Sequence, residues 1–429
     1  MKISPARRAA FEILCRVDAD KAFTSVLLPT FEDSLAPADR GLCHEIVLGV
    51  LRRQIYLDRL IDGLTRSRKL DLAVRIALRI GIYQLIFLDR VPAYSAINES
   101  VNLVQMAKKT SARGLVNAVL RRISENVPTL EFSDDLDRVS VETSHPRWLL
   151  EKWITDFGFS EAEQIAVSNN DMPRIAFRFV GEQPPSPVGY QQSELVSGCY
   201  IATSIDRELR AKADAGEIYF QDEASQLVAQ LVSRKPAAKF FDICAAPGGK
   251  TTQIAAAYFR AGPKRTVVAG DLRDTRVDLL RATCDRHRLG AVLIAQYDAE
   301  TGLPFADQSF ETVLVDAPCS GTGTIRHNPE IRYFLEPADF GRLPGKQRKI
   351  LNNASNLVTP GGRLIYSTCS LERQENEMVC GEFLSENTGF TRSPPEVSAS
   401  LVTDEGFART LPHRDGTDGF FIAEFKRVA

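Results

Sequence analysis

The chain has 429 residues, 44% hydrophobic and 25% charged, a globular balance that excludes disordered and fibrous classes and, at roughly 150 residues per domain, implies two or three units. A formal charge of −2 excludes a uniformly basic nucleic-acid coat. The charge is uneven, however: residues 1–130 hold 20 Lys and Arg against 13 Asp and Glu, leaving the remainder nine negative, and a basic first third points to a polyanionic partner.

Met1-Lys2-Ile3-Ser4-Pro5 leads into an amphipathic pattern without an apolar signal core, so a cytoplasmic protein is expected. The apolar runs stay below the roughly 18 residues that span a bilayer, so no membrane association is expected. Eight cysteines lie at 15, 43, 199, 244, 284, 319, 369 and 380, with no CxxC pair. Neither a zinc module nor a disulfide scaffold fits that spacing. Free thiols, no metal and a monomer are expected.

From the start of the chain, Ala9, Ala10, Ile13, Leu14 and Val17 recur at helical spacing, as do Ile46, Val47, Val50 and Leu51. Asp39-Arg40 opens a second helix. Asp71 caps a third that runs to about Asp89, Pro92 ends it, and Ser95 or Asn98 starts another. No alternating Val/Ile/Thr run interrupts them, which makes this an all-α unit. Arg79-Ile80-Gly81-Ile82-Tyr83-Gln84-Leu85, Pro92, Asn98-Glu99-Ser100-Val101 and Gly114-Leu115-Val116-Asn117-Ala118-Val119-Leu120-Arg121-Arg122 resemble the NusB-type RNA-binding helical domain. The resemblance implies that Lys108, Lys109, Arg113, Arg121 and Arg122 meet phosphates, where basic side chains supply affinity. Each of them taken singly is equally well a solvated helix face.

Residues 126–165 read as a linker with one helix at 145–157, whose Trp148 and Trp153 are expected to be packing residues rather than base-stacking platforms. Residues 166–235 alternate short strands, such as Ile175-Ala176-Phe177-Arg178-Phe179, with Pro-rich turns at 184–187, then enter a helix near 223–233. The expected domains are a helical domain at 1–128, a helical linker at 129–165, a small α+β lead-in at 166–235 and an α/β domain at 236–429.

That last region changes pattern. Residues 240–244, 266–269, 291–294, 312–315 and 363–366 are near-continuous apolar runs, separated mostly by helical stretches at about 250–260, 272–287, 343–358 and 374–386. Strands buried on both faces and alternating with helices predict a parallel, doubly wound, Rossmann-like sheet. Its ligand belongs beyond the carboxyl ends of the strands.

The first run is followed by Cys244-Ala245-Ala246-Pro247-Gly248-Gly249-Lys250, a glycine turn that brings backbone N–H groups toward an anion. Gly249-Lys250-Thr251 matches the end of a P-loop, yet Cys244 stands where that motif needs its first glycine. No G-x-G-x-x-G occurs here to favour a dinucleotide. Asp271 ends the second run, where a carboxylate can accept both ribose hydroxyls. Asp298 ends the third, where it can meet an adenine amino group. An anion-binding turn plus a ribose-binding acid, without a pyrophosphate loop, suits S-adenosylmethionine, released as S-adenosylhomocysteine.

The fourth run closes with Asp316-Ala317-Pro318-Cys319-Ser320-Gly321 and the fifth with Tyr366-Ser367-Thr368-Cys369-Ser370. A lone free cysteine is usually a buried apolar thiol; two at neighbouring strand ends predict a shared cleft. With the glycine turn, Gln221-Asp222-Glu223-Ala224-Ser225, Arg326-His327-Asn328-Pro329-Glu330 and Asp418-Gly419-Phe420-Phe421, these residues resemble the Sun-type (RsmB-like) RNA cytosine-C5 methyltransferases. With a NusB-like domain in front, they resemble the branch acting on cytosine 967 of 16S rRNA, before full subunit assembly. The resemblance implies that residues 244–250, Asp271, Asp298 and Asp316 hold or border S-adenosylmethionine. It further implies that Cys369 is the nucleophile, that Cys319 assists product release and that Arg326 meets RNA. DNA cytosine methyltransferases use a Pro-Cys cysteine, which by position nominates Cys319 instead.

Carbon 5 of cytosine is a poor nucleophile, and a thiolate adding at carbon 6 makes it enamine-like. An unperturbed cysteine is only a few per cent thiolate at pH 7, so Lys250 is expected to help hold Cys369 charged. Asp316 is expected to meet cytosine N3 and the 4-amino group, protonated or as a hydrogen-bonding partner. A tRNA cytosine methyltransferase, a DNA methyltransferase and a non-catalytic RNA-binding assembly factor are the rival readings.

Overall fold

Apolar residues at three- and four-residue spacing build the first part of the chain entirely from helices. In the helix Pro5–Asp20, Ala6, Ala10, Ile13, Leu14 and Val17 are buried, and Asp71 caps Leu72–Phe87 by accepting from Ala73 N. The computed structural model describes residues 3–32, 34–67, 69–181 and 189–428; the turns expected at 184–187 lie outside them. Contacts divide the chain into two compact units, Met1–Asp171 with Ile325–Leu335, and Met172–Thr324 with Glu336–Ala429.

The first unit contains the further helices Thr24–Glu32, Pro37–Arg52, Gln54–Thr65, Ala93–Met106 and Arg113–Glu125 around one apolar core. Arg79, in the stretch that resembles NusB, is a lock rather than a surface group. It is buried and donates to Asp18 at 2.8 Å and to Asp58 at 2.9 and 2.7 Å. Where one helix was expected at 145–157 there are three, Asp135–Thr143, Arg147–Phe157 and Phe159–Ser168. Asp134 caps the first by accepting from Asp137 N, and Pro146 and Gly158 separate the others. Trp153 is fully buried, as packing requires.

The segment Ile325–Leu335 belongs to this helical unit although it follows the fourth strand of the α/β region in sequence. Arg332 is its anchor: fully buried, it donates to the carbonyls of Thr143, Ser144 and Asn169 and to Asn170 Oδ1, at 3.0–3.3 Å. Glu330 accepts from Thr24 N and Oγ1, and Tyr333 donates to Leu51 O.

The second unit opens with an antiparallel sheet of β1 (Ile175–Phe179), β2 (Gln191–Gln192), β3 (Cys199–Ala202) and β4 (Ile218–Phe220), in the order β2-β3-β1-β4. The helix Glu223–Ser233, capped by Asp222, follows. The main sheet contains β5 (Lys239–Asp242), β6 (Thr266–Asp271), β7 (Leu293–Gln296), β8 (Phe310–Asp316), β9 (Val358–Thr368), β10 (Phe390–Ser393), β11 (Ala408–Arg409) and β12 (Phe421–Arg427). Their order is β10-β12-β9-β8-β5-β6-β7, with β11 against β12. The stretch β9-β8-β5-β6-β7 is parallel. The parallel, doubly wound sheet is extended at one edge by strands the apolar runs did not reveal, where β12 runs antiparallel to β9 and β10 antiparallel to β12. Residues 390–415 supply β10 and β11.

Helices Gly249–Arg260, Asp274–Arg286, Asp339–Leu357 and Glu377–Glu386 connect or cover the strands. The chain runs outward from β5 through β6 to β7, then returns to the other side of β5 with β8. That reversal opens a crevice beyond the carboxyl ends of β5 and β8. Among the described residues no helix is long and apolar enough to cross a membrane.

Candidate active site

The glycine turn leaves β5 through Cys244 and enters the helix Gly249–Arg260. Gly248 has φ +105°, which favours glycine, and a Cβ there would crowd the side chains of Leu280 at 3.0 Å and Thr283 at 3.2 Å. Ala245 N donates to Gly270 O, tying the turn to β6. Asp271, at the tip of β6, is 7% exposed and accepts from Ala246 N at 3.2 Å. Its other oxygen accepts from Leu272 N and from Arg276 Nε, and Arg276 Nη2 donates to Ala246 O. Asp271 therefore organises the turn. Asp298 lies two residues past β7 and accepts from Glu300 N at 2.9 Å, a turn-capping contact that uses one oxygen.

Beneath the turn, Asp242 is buried and accepts from Thr251 Oγ1 at 2.6 Å, while its second oxygen has no hydrogen-bond partner. Burial pushes its carboxyl up to about 7, against the pull of the Thr251 bond. Burial, then the charges of Asp271 and Asp242, push the Cys244 thiol up.

At the tip of β8, Asp316 accepts from Lys250 Nζ at 2.7 Å and from Ser367 Oγ at 2.7 Å. Lys250 and Ser367 thus engage one oxygen each of the Asp316 carboxyl group. Burial opposes the Lys250 ammonium, but the charge and hydrogen bond of Asp316, with Cys369 and Asp242 adding, hold its pKa above the ordinary lysine value. Lys250 Nζ also lies 4.9 Å from the centre of the Phe420 ring.

Cys319 and Cys369, 50 residues apart in sequence, bring their sulfurs to 3.3 Å. The hydrogen bond to Cys369, then burial and the charges of Cys369 and Glu375, push the Cys319 thiol well above its ordinary value. Gly323 N donates to Cys369 O, and Gly419 N to Gly323 O, so three loops close around the sulfurs.

Sequence reasoning missed several residues that build this site. Arg178 from β1 is 4% exposed and donates to Gln221 Oε1, to the carbonyl of Gly249 and to Thr252 Oγ1. An arginine in the middle of an otherwise apolar strand was the signal. Glu375 is fully buried behind the cysteine loops; its sequence context, Arg373-Gln374-Glu375-Asn376-Glu377, reads as a solvated turn.

Of the residues expected to meet RNA, Lys108, Lys109, Arg113, Arg121 and Arg122 are exposed. Lys109 pairs with Asp71 at 2.7 Å. Arg326 differs: it is 4% exposed and its carbonyl accepts from Arg52 Nη2, so it presents no open guanidinium to a phosphate and the expectation for it is corrected.

Residues 229–426 match the family described as 16S rRNA methyltransferase RsmB/F, and residues 4–125 match the NusB family. The chain is 33% identical over 450 residues to the probable ribosomal RNA small subunit methyltransferase B of Bacillus subtilis, covering 100% of both. It is 34% identical to the protein of the same name in Synechocystis, covering 99% of each. A methyltransferase homologue from Pyrococcus horikoshii shares the fold at a TM-score of 0.56 and 22% identity, covering 69% of this chain and 100% of that one. Full-length identity above 30%, a NusB domain ahead of a Rossmann-like sheet, and paired thiols at adjacent strand tips lead to one conclusion: the chain belongs to the RsmB/F family of 16S rRNA methyltransferases.

Proposed function

We propose that the chain methylates carbon 5 of a cytosine in 16S rRNA, of the cytosine-967 type, through a covalent bond between Cys369 Sγ and carbon 6 of the base. The observation that carries this reading is the 3.3 Å approach of the two sulfurs, beside the Lys250–Asp316 ion pair. The donor set suits S-adenosylmethionine. Asp271 offers a carboxylate of the kind that binds a ribose diol, Asp298 retains one oxygen beyond its turn contact, and the 244–250 turn is kept free of side-chain bulk at Gly248. That group supplies, when bound, a methyl made electrophilic by its sulfonium.

The chain's own residues do the rest. Cys369, as thiolate, adds to carbon 6 and passes its electron pair through carbon 5 toward N3 and O2 of the base. The Lys250 ammonium stabilises that developing negative charge, and Asp316 accepts from the 4-amino group. Carbon 5 takes up the methyl. A base then removes its proton, the C5–C6 double bond re-forms, and Cys369 leaves as thiolate. Cys319, holding its proton, stabilises the departing sulfur by donating a hydrogen bond to it. The exposed basic residues 108, 109, 113, 121 and 122 meet the phosphates of the RNA. The target base must leave its stack to reach the sulfurs, which is easiest in a single-stranded loop.

The test is a denaturing gel of RNA–protein adducts formed with 16S rRNA and labelled S-adenosylmethionine. Cys369→Ala abolishes the adduct, whereas Cys319→Ala forms it and releases it slowly. The reverse pattern assigns the nucleophile to Cys319. Bisulfite sequencing of rRNA and tRNA from cells lacking the gene identifies the modified base.

A further inference from the structure

Glu375 sits in the turn Arg373–Glu375 ahead of the helix Glu377–Glu386. One carboxylate oxygen accepts from Ser320 N at 2.9 Å and from Gln347 Nε2 at 2.8 Å; the other accepts from Ser370 Oγ at 2.8 Å. Ser320 follows Cys319 and Ser370 follows Cys369, so a single buried carboxylate grips the residue after each thiol. The hydroxyls of Ser320 and Ser370 meet at 3.0 Å and close the ring. Gln347 also donates to Pro318 O, the residue before Cys319, at 3.0 Å, and Tyr366 donates to the Glu375 carbonyl at 2.6 Å. Every contact is between parts of one buried network, where a satisfied charge is rigid and an unsatisfied one costly.

We propose that Glu375 is a positioning residue that clamps the two cysteine loops together, keeping the Cys319 thiol within hydrogen-bonding reach of Cys369 while the base is attacked and released. The clamp rests on the roles proposed above for Cys369 and Cys319. A glutamine can keep Ser320 N–H and Gln347 on its carbonyl oxygen and offer its amide to the Ser370 hydroxyl, whose proton is free to turn. An alanine loses all three bonds and leaves the Ser320 N–H buried without a partner.

Two readouts test the clamp in the full-length chain. The first is the rate at which diamide, a two-electron oxidant that takes up both thiol protons, joins Cys319 to Cys369, followed by peptide mass. Sulfurs already 3.3 Å apart need to close to about 2.05 Å. The second is the share of 16S rRNA trapped as adduct. Glu375→Ala is expected to slow thiol pairing at least about tenfold and to trap adduct as Cys319→Ala does. Glu375→Gln restores most of both, and Ser370→Ala, which removes one arm, falls between. A Glu375→Ala protein that melts like the parent and pairs its thiols at the parent rate overturns the proposal. If Glu375→Ala does not fold, parent-rate pairing in Ser370→Ala overturns it instead. Failure of Cys319→Ala to trap RNA refutes the chemical roles but not the clamp, which thiol pairing judges alone.

Discussion

Replacing Asp242 by asparagine isolates the cost of the buried carboxylate under the glycine turn. Its carboxyl has an ordinary value of 3.8 and is pushed up to about 7 in the folded chain, chiefly by burial. Below pH 3.8 both folded and unfolded chains hold the proton. Between about pH 4 and 7 the unfolded chain releases it while the folded chain keeps it, so stability falls by about 1.4 kcal/mol per pH unit. Above pH 7 the fall stops, at a total of about 4 kcal/mol. Asparagine does not titrate, so this loss is absent from the variant. It still accepts from Thr251, but its amide N–H group occupies the position of the oxygen that has no partner, a pH-independent cost of about 1–3 kcal/mol. The informative quantity is therefore the change in the difference between variant and parent from pH 5 to pH 8, about 3 kcal/mol in favour of the Asp242→Asn variant. For a unit of this size that is roughly 6–12 °C in relative melting temperature. Scanning calorimetry of both chains at the two pH values measures it. An unchanged difference refutes the assignment of a protonated Asp242.

Arg178→Met removes the donors to Gln221, Gly249 O and Thr252; Thr252 Oγ1 still donates to Gly249 O, but the buried Gln221 amide oxygen loses its donor at about 1–3 kcal/mol. S-adenosylhomocysteine binding by calorimetry is expected to weaken about tenfold or more, and Arg178→Lys not to recover it, because a lysine lacks the planar fork. Gly323→Ala places a Cβ 1.9 Å from the carbonyl oxygen of Gly419, which is backbone and cannot swing aside. A stability loss at or above the roughly 3 kcal/mol upper end of ordinary overpacking is expected in denaturant titration, whereas Gly345→Ala, with open space around it, is tolerated.

Much of the main sheet was legible because parallel strands covered on both faces must be apolar throughout, and each such run in the α/β region became a strand. The strand tips then placed Asp271, Asp316 and the cysteines without further assumptions. The antiparallel edge was not legible. Its existence depends on Phe421–Arg427 pairing with residues 363–368, and no local pattern specifies a partner some 60 positions away. Nor were the supports of the site. Arg178 and Glu375 there, and Arg332 in the helical unit, obey the rule that a buried polar group must find partners, and those partners come from distant segments. Periodicity is blind to such pairs, and it leaves an arginine such as Arg326 looking exposed when it is buried.

The anchoring of Arg332 among the carbonyls of residues 143–169 has a consequence for biosynthesis. A ribosome adding roughly 5–20 residues per second takes on the order of 10–30 s to travel from Asp171 to Leu335. For that interval the nascent helices lack the guanidinium that satisfies Thr143, Ser144 and Asn169. A gene truncated after codon 171 makes that interval permanent, so a fragment ending there is expected to melt below one that carries residues 325–335 grafted back by a linker.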